Sequence, residues 1–282
     1  MGGWDGSAGE TGDGAGCPVC HRRTDSTRTT LRGVRGRNVA AQASLPARDR
    51  DPVVSTGGAD SDVRGVALVL HGGRASSFDA VQSQHLSPLR MRPFAARLAA
   101  DGGRHGLAVW TLRNRVRGWN GADQSALKDA RWALARIAAE YPSLPVYLLG
   151  HSMGGLTALY AADHPQVRAV AALAPWLEPS SPVEPVRGRD VLIMHGDTDR
   201  WTSPTSSLSF ARRAVGVAED VHYVRMLGAG HFMFRTVPVW HGLSTSFLLR
   251  RFAEDTGAAV APAVLGRSDL LYRSSDPLGV TA

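Results

Sequence analysis

The sequence predicts an α/β fold, a mostly parallel twisted sheet with helices on both faces. Three observations predict it. Short apolar runs of strand length recur between residues 63 and 226, and stretches at helical spacing separate them. Strands that alternate with helices are joined by right-handed crossovers, which makes the sheet parallel and covers both of its faces. The chain of 282 residues is 43% hydrophobic and 20% charged, which suits one large domain with tails. A folded part of ~200 residues buries a sufficient core without disulfides or metals.

Residues 1–52 are rich in Gly, Arg, Thr, Ser and Asp and lack apolar periodicity, so they are expected to form a disordered tail. The only cysteines, Cys17 and Cys20, lie in this stretch, so the core uses no disulfide and the redox compartment stays open. Cys17-Pro18-Val19-Cys20-His21 matches half a zinc knuckle and, literally, a c-type haem attachment pattern. Structural zinc takes four ligands. The haem reading also wants a haem-binding domain and an export signal. No metal and no cofactor are therefore expected.

The expected folded domain spans 53–256. Val63 to Leu70 is a buried-strand run, and a helix from Pro93 to Ala100 ends before Gly102-Gly103. Leu107 to Leu112 is the next strand. Asp123 is expected to cap a helix running through Tyr141, with apolar residues at 126, 127, 130, 134, 137, 138 and 141 and a stop at Pro142. Strand Val146 to Leu149 follows, then helix 154–163 and strand Val167 to Leu173. Strand Val191 to Met194, helix 204–215, strand Val221 to Met226 and a helix from Val237 to Phe252 complete the pattern. Residues 257–282 are expected to be a weakly structured tail.

Gly150-His151-Ser152-Met153-Gly154 joins a strand to a helix with a serine at the apex. A serine hydroxyl is a poor nucleophile unless a base activates it and its position is fixed. A G-x-S-x-G turn supplies the position, because the glycines relieve crowding around a strained backbone. A second Gly-rich turn, His71-Gly72-Gly73-Arg74, follows the first strand. His195-Gly196-Asp197-Thr198-Asp199 follows strand 191–194, and Gly228-Ala229-Gly230-His231-Phe232 follows strand 221–226.

With these motifs in the order nucleophile, acid, histidine, the chain resembles the α/β-hydrolase fold superfamily over about residues 60–252. The resemblance implies a serine hydrolase that cleaves a carboxylic ester or thioester through an acyl-enzyme. It implies Ser152 as nucleophile, His231 as general base and Asp199 as the acid, with Asp197 and Glu178 as alternatives for the acid. The oxyanion donors would be the amides of Met153 and Gly73, with Arg74 as the alternative to Gly73. His71, His151 and His195 are read as structural.

Related enzymes often insert a helical cap after the strand that follows the nucleophile helix. Residues 174–190, rich in Pro, Ser and Arg, are too few for one, so an open or loop-covered site is expected. Trp176, Trp201 and Phe232 are the candidate substrate-binding residues, with Trp119 and Met233 nearby. The alternation Arg113, Arg115, Arg117 suggests an anionic substrate group. Serine aminopeptidase or amidase activity on the same three residues, and a non-catalytic binding protein, remain as alternatives.

The net charge of +7 rests on 32 basic residues, of which only Lys128 is lysine. Arg of this abundance beside abundant Ala and Gly reads as the codon usage of a GC-rich genome. The densest basic stretch, Arg22 to Arg37, carries no aromatic residue, so no nucleic-acid partner is expected. No apolar run approaches the ~20 residues that cross a bilayer, and the first residues lack a secretory pattern. A cytoplasmic protein without a membrane partner is expected, acting on a small-molecule ester or thioester. The oligomeric state is not legible.

Overall fold

The computed structural model describes residues 46–282. The expectations for residues 1–45, including Cys17, Cys20 and His21, lie outside the described residues. The last part of the expected N-terminal tail is inside them. A 3-10 turn at Ala47–Asp49 is fixed there by Arg115, which donates to the Arg48 carbonyl.

Among the described residues one eight-stranded sheet has the order β1-β3-β2-β4-β5-β6-β7-β8. In chain order these are β1 (Val53–Gly58), β2 (Gly65–Leu70), β3 (Leu107–Arg113) and β4 (Val146–His151). They continue with β5 (Val167–Leu173), β6 (Asp190–Gly196), β7 (Asp220–Met226) and β8 (Val280–Thr281). All neighbours pair in parallel except β1, which runs antiparallel along β3. The mostly parallel sheet expected from the sequence is therefore the observed one.

Successive side chains along each inner strand point to opposite faces of the sheet. Leu68, Leu148, Val170 and Ile193 point to one face, against helices α2 (Ser125–Glu140), α3 (Met153–Tyr160) and α4 (Pro204–Ala214). Ala67, Leu149, Ala171 and Leu192 point to the other, against α1 (Leu86–Gly102) and α5 (Val237–Thr256). Every residue of β2 and of β4 is buried, as a strand covered on both faces must be.

Several boundaries differ from the sequence expectation. Helix α1 begins at Leu86 rather than Pro93, and Pro93 sits exposed within it. Asp123 does not cap α2. It lies in the preceding 3-10 turn, where its carboxylate takes hydrogen bonds from Ser125 Oγ and Lys128 Nζ, and the residue before the helix is Gln124 at φ 47°.

Residues 257–282 are not a loose tail. Short helices α6 (Pro262–Leu265) and α7 (Asp269–Arg273) pack under α5, and β8 extends the sheet beside β7. Val260, Val264, Leu271 and Val280 are buried in the same core as Phe247 and Trp240. Their irregular spacing between Gly, Pro and Ser hides the burial from periodicity. Among the described residues no helix is long and apolar enough to cross a membrane.

Leu271 is fully buried. Leu271→Ala is therefore expected to cost ~2–5 kcal/mol in urea unfolding. A loss under about 0.5 kcal/mol, the scale of a neutral surface change, would show that the C-terminal segment is peripheral.

Candidate active site

The carboxyl ends of β2, β4, β5, β6 and β7 share one edge of the sheet, where open α/β sheets form their crevices. The turn after β4 is the sharpest feature of that edge. Ser152 adopts φ 57°, ψ −120°, a conformation that L-residues rarely occupy. Three backbone bonds hold it there. Ser152 N–H donates to Leu173 O at 2.9 Å, and its carbonyl accepts from Leu156 N and Trp176 N, both at 3.1 Å. Gly150 must be glycine, because a Cβ there would lie 2.1 Å from the Gly154 carbonyl oxygen.

The raised serine meets a histidine from another loop. His231 Nε2 is 3.0 Å from Ser152 Oγ, and His231 Nδ1 is 2.8 Å from Asp199 Oδ2. A carboxylate accepts only, so Nδ1 carries the proton and Nε2 is a lone pair facing the hydroxyl. The Asp199 side chain is buried and its other oxygen, Oδ1, accepts from Trp201 N at 2.7 Å and Thr202 N at 3.0 Å. Thr202 Oγ1 donates to Oδ2 at 2.9 Å. Burial by itself would raise the Asp199 pKa. The bonds from His195, His231 and the Thr202 and Trp201 amides outweigh it and hold the carboxyl far below the usual range.

The alternative acids are placed elsewhere. Asp197 accepts from Gly228 N at 2.8 Å and pairs with Arg225, tying two loops together. Glu178 is exposed, on the loop after β5.

The loop after β2 comes against the Ser152 turn. A Cβ on Gly73 would lie 2.4 Å from the Arg117 carbonyl oxygen, so only glycine fits that approach. Arg74 N–H is already committed to Arg117 O at 2.8 Å, which removes it as a free donor. Met153 N–H opens α3 and has no acceptor within the helix.

Two of the three histidines read as structural from the sequence, His71 and His151, are buried here and hold backbone groups. His71 Nε2 accepts from Asn114 N at 3.1 Å, and Nδ1 donates to Gly72 O. His151 Nε2 donates to the His231 carbonyl at 2.9 Å and so anchors the loop that carries His231.

Trp176 lines a cavity of about 330 Å³ with Trp119, Leu156, Tyr160 and Ser181. The cavity adjoins the serine turn, since Leu156 and Trp176 both bond to the Ser152 carbonyl. Trp201 and Phe232 do not line it. Trp201 is 73% exposed and stacks near His231 at 6.3 Å between centroids, and Phe232 meets both rings edge-on. Arg90 lies over the Phe232 ring at 4.8 Å. Arg115 is turned away from this edge, bonded through both its amide and its guanidinium to the Asp129 carboxylate. The suggested anion-binding row of arginines is therefore broken at its centre.

The sequence missed the partners of Asp199. Thr202 and His195 both bond to Asp199, and Ser207 bonds to His195. The available signal was spacing, with His195 four residues before Asp199 and Ser203-Pro204 opening the helix that carries Ser207.

A family model described as serine aminopeptidase, S33, matches residues 102–190. No curated protein matches the chain significantly. Solved structures align over most of it. The esterase PE8 shares 16% identity at a TM-score of 0.56, covering 71% of this chain and 99% of its own. A monoacylglycerol lipase from Paleococcus ferrophilus shares 16% at 0.53, covering 71% and 99%. A serine hydrolase without lid from Xanthomonas campestris shares 19% at 0.51, covering 71% and 89%. The chain is thus an α/β-hydrolase-fold protein without a large cap.

Burial holds the His71 imidazole pKa down to about 4 and that of His151 down to about 3. Both rings stay neutral in the fold at pH values where the unfolded chain protonates them near 6.5. The unfolded state thus binds more protons below that value, and stability is expected to fall as pH drops from 6.5 towards 4. Urea midpoints that stay flat across this window would contradict neutral burial of the two rings.

Proposed function

We propose that the protein is a serine hydrolase that cleaves a small carboxylic ester or thioester through an acyl-enzyme. The observation that carries this reading is the unbroken hydrogen-bonded chain from Ser152 Oγ through His231 to Asp199. His231 Nε2 takes the hydroxyl proton as Ser152 Oγ attacks the substrate carbonyl carbon. The tetrahedral oxyanion is held by the Met153 and Gly73 amides, an arrangement worth ~2.7–4 kcal/mol per donor in the transition state. The imidazolium then gives its proton to the leaving alcohol or thiol. A water activated by the same histidine hydrolyses the acyl-enzyme. Asp199 keeps the imidazole in the Nδ1–H tautomer and stabilises its charged form.

The cavity beside Trp176 takes one side of the substrate, and the exposed Trp201 with Phe232 forms an apolar shelf for the other. Esterase and lipase folds among the structural neighbours support ester chemistry. The serine aminopeptidase description of the matching family model supports an amide-cleaving alternative on the same residues. A non-catalytic role would fit a serine and histidine too far apart to bond, and here they are 3.0 Å apart.

The test is labelling by a fluorophosphonate probe, followed by a p-nitrophenyl ester series run beside aminoacyl p-nitroanilides. Wild type is expected to be labelled and to release nitrophenol in a burst, and Ser152→Ala is expected to do neither. Asp199→Asn is expected to lower kcat by about 10⁴-fold, with Asp197→Asn within a few-fold of wild type. No labelling of the folded wild-type protein would sink the hydrolase reading. Turnover of the anilides alone would replace ester with amide.

A further inference from the structure

The Asp199 carboxylate is held by two histidines, and only one of them faces Ser152. His195 lies at the end of β6 and is fully buried. Its Nε2 is 3.2 Å from Asp199 Oδ2, the same oxygen that bonds to His231 Nδ1. Thr202 Oγ1 lies 3.3 Å from His195 Nε2. The carboxylate oxygen only accepts and the hydroxyl can accept, so His195 Nε2 carries a proton shared between them and Nδ1 is a lone pair. Ser207 Oγ, also fully buried, lies 2.8 Å from Nδ1 and is the donor that fixes this tautomer. A directed line of bonds therefore runs from Ser207 to His195 to Asp199, opposite the line that comes from His231.

We propose that His195 is a positioning residue, locked by Ser207, that orients the Asp199 carboxylate and tunes its hold on His231. The proposal rests on the hydrolase reading for its functional meaning. A polar ring at a fully buried strand position is costly unless both nitrogens are bonded. Packing alone would be met by Leu or Met. Both nitrogens are bonded here, and one bond goes to the carboxylate that His231 depends on. Every donor on Oδ2 withdraws charge from that oxygen and weakens its attraction for an imidazolium.

Other ionisable groups approach from the surrounding elements without touching the carboxylate. Asp197, on the same loop, is turned to Gly228 and Arg225, and Arg200 is exposed. From the β4 turn, the His151 ring centroid is 4.8 Å from that of His231. From α1, Arg90 lies over Phe232. Removal of His195 thus changes the carboxylate directly, whereas these groups act at longer range.

The experiment follows the His231 titration by NMR with histidine-selective labelling, alongside the pH profile of kcat/KM on a p-nitrophenyl ester. With His195→Leu, the carboxylate loses a donor and holds the His231 imidazolium more tightly. The His231 midpoint is expected to rise by about one pH unit, and the acid limb of kcat/KM to move to higher pH with it. His195→Gln, whose amide N–H still reaches Asp199, is expected to stay near wild type. Ser207→Ala keeps the ring but frees its tautomer, and is expected to move the midpoint in the same direction by less. The proposal is overturned by a His231 midpoint that stays put in Ser207→Ala and in folded His195→Leu, or by His195→Gln shifting as far as His195→Leu. The NMR arm needs no turnover. A folded protein that takes no fluorophosphonate label yet shows the shifts would overturn the hydrolase reading and leave the coupling of His195 to His231 standing.

Discussion

The backbone at Ser152 has to turn from a strand into a helix within one residue, and the rest of the site is arranged around that turn. Such a conformation costs ~1–3 kcal/mol and persists only where its surroundings over-determine it. Here β4 is hydrogen-bonded on both sides, to β2 and β5, and is buried along its whole length. The strand cannot yield to relieve the turn. Behind it α3 is fixed by Met153, Leu156 and Leu159 in the core. The turn is thus clamped between two elements that lose far more by moving than the turn costs, and the serine oxygen is left raised above the sheet edge.

On the proposed reading, the raised serine passes its proton to the imidazole beside it, and that ring in turn depends on charge placed further back. Four histidines stand around the edge, and their bonding partners give them different duties. His71 and His151 are bonded to backbone groups alone, and burial keeps them neutral. His231 and His195 are bonded to Asp199. One carboxylate therefore organises two rings, and four hydrogen bonds, with His195 Nε2 3.2 Å away, keep it from drifting toward either. In a poorly hydrated setting such a network strengthens each of its members and leaves little room for an unpaired one.

The strand–turn–helix around Ser152 was legible because it is local. An apolar run, two glycines and a helical spacing lie within a few residues of each other. The order and spacing of Asp199 and His231 were legible for a related reason, since each follows directly from a buried strand. Edge features were not. Strand β1, Val53–Gly58, is mostly exposed and ends in two glycines, so it carries no apolar pattern, and its pairing with β3 is a tertiary event. The C-terminal segment buries its apolar residues one at a time under α5, which leaves no period to find. The role of His195 was hidden because a histidine before a Gly-Asp turn looks the same whether its ring meets the acid or only fills space. The path of the loop through Thr202 to Ser207 decides between the two.

The short connection over residues 174–190 leaves nothing large above the site, yet the groups that need a low-dielectric setting have one. The Asp199 side chain is fully buried and the His231 side chain is 6% exposed, whereas Trp201 beside them is 73% exposed. Solvent is thus kept from the carboxylate and the imidazole behind Ser152. Such an arrangement keeps the carboxylate–imidazole pair strongly coupled while the mouth stays open to solvent. The site needs no lid for its proton chemistry. A lid would add grip on a substrate. On the proposed reading that grip falls instead to the cavity walls at Trp119, Tyr160 and Trp176 and to the exposed ring of Trp201.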